Sequence, residues 1–313
     1  GVQTCALPIY ETAGTFTYGN TGVAASATTG SGSALDQSAI FFDSRFNYLQ
    51  STASLTLLQS AKTFYTMSGT GFLQNRKETI GLTNSWGYDL TGGINRRVSR
   101  ATTIGVDYAY THFEFPAFGT LSDTNAFHGN FTTNFARAWK FSMQAGVAIS
   151  EVQSPFSFTL SPILAALLGQ KSISGVAYSK VAMPSGAVTL SRQFPRSALT
   201  FSYKRGVVSG NGFTNTARNE TGLGSYSYSG IRRVSLSVDG GYYGVSGLGQ
   251  SFGKYSQYSG GAAASFAVAP ATHLTVRYDY RDQEIAQSTY GLQGSRVSVG
   301  IMFSPGNVPL SIW

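Results

Sequence analysis

Residues 101–115 read ATTIGVDYAYTHFEF, and the period of this stretch decides the fold. Ile104, Val106, Tyr108, Tyr110 and His112 fall on even positions, whereas Thr103, Gly105, Asp107, Ala109 and Thr111 fall on odd ones. Alternation at every second residue is the strand period, because successive Cβ atoms of a strand point to opposite faces. One face is large and apolar, and the other is small and polar.

The same split recurs on both sides of this stretch. Leu82, Trp86, Tyr88, Leu90 and Ile94 alternate with Thr83, Ser85, Gly87, Asp89 and Thr91. Phe127, Phe131 and Phe135 alternate with His128, Asn130 and Asn134, and Phe141, Met143 and Val147 with Ser142, Gln144 and Gly146. Further strands are expected around Val188 and Leu190, Phe201 and Tyr203, Tyr226 and Tyr228, Val234 to Val238, Phe266, Tyr278 and Tyr280, and Val297 to Phe303. With a less regular stretch at 62–74 the pattern gives about twelve strands, or fourteen if 40–49 and 53–59 add a hairpin.

Connector lengths alternate as well. Short ones are expected at 95–100, 137–139, 195–197, 230–233 and 269–273, and longer ones at 116–123, 153–184, 207–220, 244–256 and 282–294. Short turns at one end and long loops at the other are the signature of an antiparallel up-and-down transmembrane β-barrel. Within 153–184, Ser161, Pro162 and Gly169 bracket an apolar run and predict a short helix. Aligning the apolar faces sets Tyr108 against Phe131 and Thr111 against His128. It also sets Phe135 against Phe141, and Tyr228 against Val234.

Composition says which face meets lipid. The 313 residues hold 22 Lys+Arg and 14 Asp+Glu, so charged residues are 12%, about half the usual share. A solvated outer face would need far more charge, and a disordered chain would lack the 13% of aromatics. No apolar run is long enough for a spanning helix. The aromatic face therefore meets lipid, with Trp86, Tyr88, Tyr108, Tyr110, Phe131, Phe141, Phe201, Tyr203, Tyr278 and Tyr280 as lipid-facing or girdle residues. A propeller or solenoid is disfavoured, because the repeat is a hairpin of variable length.

The barrel is expected over 38–303, after a flexible 10–37 that is read as truncated and before a periplasmic tail, 304–313. Residues 1–9 resemble a translated sequencing adapter and carry Cys5, the sole cysteine, so no thiol chemistry or metal site is expected.

With alternation over residues 62–303, Arg-bearing turns such as NRRVSR and a terminal strand RVSVGIMF, the chain resembles bacterial outer-membrane β-barrels. It is most similar to poorly characterised porin-like families. The resemblance implies outer-membrane localisation, with long loops extracellular and short turns and C-terminus periplasmic. It also implies lipid and the barrel-assembly machinery as partners. Many such barrels end on a terminal aromatic, whereas here Phe303 is followed by ten residues ending in Trp313.

By parity, Asp89, Asp107, Lys204, Asp239, Arg277, Asp279, Arg281 and Arg296 point into the lumen, where charges set ion selectivity or brace the wall. A porin-like channel for small polar solutes or ions is the leading expectation, and a surface-interaction barrel acting through its long loops is the alternative. His112 is expected opposite Phe127 on the lipid side and His128 inside, so no catalytic pair, metal site or cofactor is expected. The net charge of +8 gathers at short turns (Arg96, Arg97, Arg100, Arg192, Arg196, Arg232, Arg233), which fits lipid headgroups and argues against nucleic acid.

Overall fold

The computed structural model describes residues 46–76, 84–136, 138–159, 161, 163, 167, 169–209, 216–248, 254–269, 272–285 and 291–303. The expected segments 1–9, 10–37 and 304–313 lie outside these residues. Among the described residues thirteen strands form a single antiparallel sheet in strict chain order. They are β1 (Phe46–Leu58), β2 (Thr63–Arg76), β3 (Ser85–Arg97), β4 (Thr102–Phe115), β5 (Thr120–Phe135), β6 (Trp139–Thr159) and β7 (Ser172–Gln193). Then come β8 (Ser197–Ser209), β9 (Thr216–Ile231), β10 (Val234–Gly247), β11 (Tyr255–Ala269), β12 (Thr272–Ile285) and β13 (Gly291–Phe303). Among the described residues no ladder joins β1 to β13.

The alternation places the faces as expected. Ser85, Phe113, Thr124, Ala148, Ser185, Gln257 and Gln283 are all buried, and register puts all of them on one face, the inner one. The opposite face exposes Leu90, Val106, Phe127, Val147, Phe201, Val238, Tyr278 and Val299. Only a lipid solvent makes that arrangement cheap, since contiguous exposed apolar surface of this extent is foreign to soluble monomers. All ten expected girdle residues lie on this outer face. Tyr108 packs on Phe127 with ring centroids 4.9 Å apart, Phe131 on Phe141 at 6.2 Å, and Tyr88 on Tyr110 at 6.0 Å.

Charge bounds the outer apolar band at both ends. At the short-turn end the Arg192 guanidinium lies over the rings of Trp139 and Phe194, 5.0 and 4.2 Å from their centroids. Toward the long-connection end the outer face carries the pairs His112–Asp123 (2.8 Å), Lys180–Glu151 (2.5 Å) and Arg205–Glu220 (3.5 Å).

Several expectations are corrected. The single strand β1 replaces the 40–49/53–59 hairpin over the described residues, because 50–52 pair with β2 without a break. The connection 116–123 shrinks to a 3₁₀ turn, Pro116–Phe118, closed by Gly119 at φ 60°, since Thr120–Ser122 already belong to β5. Tyr108 therefore faces Phe127 rather than Phe131, and Thr111 faces Thr124 rather than His128. Phe135 meets Trp139 rather than Phe141 through a turn at Ala136, which has φ 46°. Tyr228 meets Leu236 rather than Val234 across a bulge. Each slip is even in number, so no face is exchanged.

The expected long loop 153–184 is largely strand. Ser154–Thr159 and Ser172–Ala177 pair with each other and, among the described residues, with no other strand. This free ribbon reaches roughly 20 Å beyond the sheet at ~3.3 Å per residue. At its tip Ile163 and Leu167 are helical, and Gly169 has φ 66°, a helix-ending conformation.

Candidate functional site

The inner face is organised in lateral rows, one residue per strand. One row runs Gly93, Asp107, His128, Gly146, Ser185 from β3 to β7. A second runs Ser225, Asp239, Gly261, Asp279, Arg296 from β9 to β13. In both rows a glycine leaves a gap that a longer side chain crosses.

In the second row the crossing side chain is Arg277. Its Nε donates to Asp279 at 2.7 Å and its Nη2 to Asp239 at 3.0 Å. A Cβ on Gly261 would lie 2.6 Å from that Nη2, so the bare glycine holds the cluster open. One guanidinium thus serves two carboxylates, and the triad carries one net negative charge. Arg296 is exposed beside Asp279, and Arg281 follows on β12.

In the first row His128 crosses Gly146. Its Nδ1 lies 3.1 Å from Asp107 Oδ2 and its Nε2 2.8 Å from Ser185 Oγ. Gln144 Nε2 donates to the same Asp107 oxygen at 3.1 Å, and Asn130 Nδ2 donates to its other oxygen. A Cβ on Gly146 would collide with the Phe127 carbonyl oxygen, so this gap is fixed by backbone. Asp89 accepts from Thr111 at 2.7 Å and from Thr91 at 3.2 Å.

All eight charges expected on the lumen side share this face. Their register unites Arg277, Asp239, Asp279 and Arg296 in one group and sets Asp89 and Asp107 apart on β3 and β4, with Lys204 on β8. His112 faces Asp123 rather than Phe127, with the Tyr110 hydroxyl also donating to Asp123 at 2.5 Å. Asp107 and Ser185 both meet His128, on opposite sides of its ring.

A second feature escaped the sequence reading. The inner face is not small throughout: Phe113 and Phe115 point inward near the long-connection end and pack with Phe72, the first ring 5.7 Å away. Ala126, Ala148 and Met183 form another apolar cluster, joined by Val207 and Leu248. The odd parity of Phe113 and Phe115 was the available signal.

No protein-family profile and no curated protein matches the chain. Among solved structures, the chain resembles the ferric citrate transporter FecA in its unliganded form, at TM-score 0.52 and 14% identity, over 84% of this chain and 48% of that one. It also aligns with the ferric yersiniabactin uptake receptor FyuA from Yersinia pestis, at TM-score 0.46 and 9% identity, over 79% of this chain and 44% of that one. The chain spans about half the length of these receptors. The CymD monoaromatic hydrocarbon channel aligns over 83% of this chain and 85% of its own, at TM-score 0.36 and 13% identity. The likeness to the ferric citrate transporter shows the fold, an up-and-down antiparallel sheet of the outer-membrane β-barrel kind.

Proposed function

We infer that this chain forms the wall of an outer-membrane channel that passes small polar solutes or ions with weak charge selection. The observation that carries this is the partition of the sheet: an outer face of exposed apolar and aromatic side chains, and an inner face lined by Gly, Ser, Thr and paired charges. Lipid requires the first, because charged side chains on the lipid-facing side of a spanning sheet are costly. The second gives a hydrated path. Charge of both signs on the inner face supports weak rather than strong selection: Asp89 and Asp107 sit on β3 and β4, Arg281 and Arg296 on β12 and β13. The apolar clusters around Phe113 and Met183 narrow that path toward the long-connection end.

In this reading the arginine-bearing short turns face the periplasm and the β6–β7 ribbon faces outward. Planar-bilayer recording of the refolded protein tests it. Discrete, stable conductance steps and a small reversal potential in a salt gradient are expected. A folded, heat-modifiable protein that never conducts would overturn the channel.

One observation favours a second reading, a barrel that acts through its surface. The ribbon exposes Phe158, Ile173 and Val176 beyond the sheet, with Phe158 67% exposed. Such a protein would be electrically silent, and its partner binding would vanish with the ribbon.

A further inference from the structure

We propose that Ser185 is an activated nucleophile in the barrel wall, with His128 as its general base and Asp107 as the residue that orients the base, and that it takes small carboxylic esters as substrates. This goes beyond the channel reading and does not rest on it.

The argument begins with the row Asp107, His128, Gly146, Ser185. A nucleophilic serine needs a base within hydrogen-bond reach and a third group that fixes the base's tautomer. Here Ser185 Oγ stands 2.8 Å from His128 Nε2, and Asp107 Oδ2 stands 3.1 Å from Nδ1. The carboxylate accepts a hydrogen bond from Nδ1–H, which leaves Nε2 with its lone pair toward the serine hydroxyl. Asp107 and His128 side chains are only 7% and 10% exposed, so water competes little for these bonds. Gln144 and Asn130 hold both oxygens of Asp107, which fixes the carboxylate as well as the ring.

Four separate strands supply these groups, and the glycine makes their meeting possible. His128 on β5 and Ser185 on β7 are not neighbouring strands, so imidazole reaches hydroxyl only because Gly146 on β6 has no side chain between them. On the far side of Ser185 there is room. Gly186 is the last β7 residue paired with β8, and beyond Arg205 the next β8 residue, Gly206, has open space where a Cβ would stand. The β8 side of Ser185 thus carries no side chain at Gly206, and this is the side from which the acyl group is proposed to approach.

In the reaction, Ser185 Oγ forms a bond to the ester carbonyl carbon while its proton passes to His128 Nε2. The tetrahedral oxyanion collapses, the ester C–O bond breaks, and the leaving alkoxide takes the proton from His128. Water then adds to the acyl-serine with His128 again as base, releasing a carboxylic acid and restoring the hydroxyl.

The experiment treats the refolded, heat-modifiable chain with diisopropyl fluorophosphate and maps the adduct by peptide mass spectrometry, with p-nitrophenyl acetate hydrolysis followed in parallel. One phosphoryl group at Ser185 is expected, absent in Ser185→Ala and slowed by about 100-fold or more in His128→Gln. Ser191→Ala, on the same strand and face, is expected to keep both signals. No adduct at Ser185 on a folded chain would overturn the proposal, and so would equal labelling in His128→Gln. Conductance of the same preparation is recorded separately, so a silent channel and an inert serine remain distinguishable failures.

Discussion

Arg277 on β12 reaches Asp239 on β10 across the bare Cα of Gly261, with Nη2 3.0 Å from the carboxylate. The same side chain holds Asp279 at 2.7 Å, so its removal takes away one positive charge and releases two carboxylates into the lumen. Arg277→Ala is therefore expected to move the reversal potential toward cation preference, and further than Arg296→Ala, which loses only its own charge. Equal shifts from the two variants would show that the cluster does not face the permeation path.

Gly261→Ala probes the same cluster without deleting a charge. The new methyl would press on the end of a flexible guanidinium, which can move aside, rather than on backbone. The variant is expected to fold with wild-type heat-modifiability and to shift the reversal potential in the same direction as Arg277→Ala, by less.

Gly146→Ala should behave differently, because its Cβ meets the Phe127 carbonyl, which the ladder holds in place. A loss on the order of 1–3 kcal/mol or more is expected from overpacking. The urea midpoint of the refolded protein checks it, and an unchanged midpoint would mean that β5 and β6 lie further apart than described.

Two adjacent residues test the face assignment. Val299 is 67% exposed on the outer face, while Ser298, one position before it, points inward. Val299→Arg is expected to cost about 2–4 kcal/mol near the bilayer midplane. Ser298→Arg should leave stability nearly unchanged and alter ion preference. The reverse order in an unfolding titration would invert the sheet.

Replacing residues 155–176 by a short Gly-Ser turn should leave the folded band and the conductance intact, since the residues beyond Ser154 and Ala177 pair only with each other. Loss of assembly on an unheated gel would show that the ribbon belongs to the wall.

Alternation alone separates two faces. Parity groups Tyr108, Phe131 and Tyr278 on one and Asp107, Asp239 and Arg277 on the other, a grouping that survives any even slip in register. Partners were harder to read, because they depend on turn length to the residue. Ending the β4–β5 connection at Asp123 rather than Gly119 displaced the pairing by four and set His128 against Thr111 instead of Asp107. The strand-like ends of β6 and β7 were also hidden. Beyond the lipid band the outer face is not obliged to be apolar, and Phe156, Phe158 and Ile173 take the parity of the inner face, so these ends do not continue the pattern of the spanning part. The gaps at Gly146 and Gly261 could not be recognised before the rows were known.

Among the described residues the thirteen strands reverse direction at every connection, which leaves β1 and β13 running the same way. A seam made by β1 and β13 directly would be the one parallel ladder in the wall, with evenly spaced, slanted bonds in place of the alternating narrow and wide pairs. A seam that keeps the alternation takes an odd number of intervening strands. The shared direction of β1 and β13 thus turns the question of how these two edges meet into one of chain polarity. Crosslinks between the two edges read it directly: equal offsets along both strands mark a parallel seam, and opposed offsets an antiparallel one.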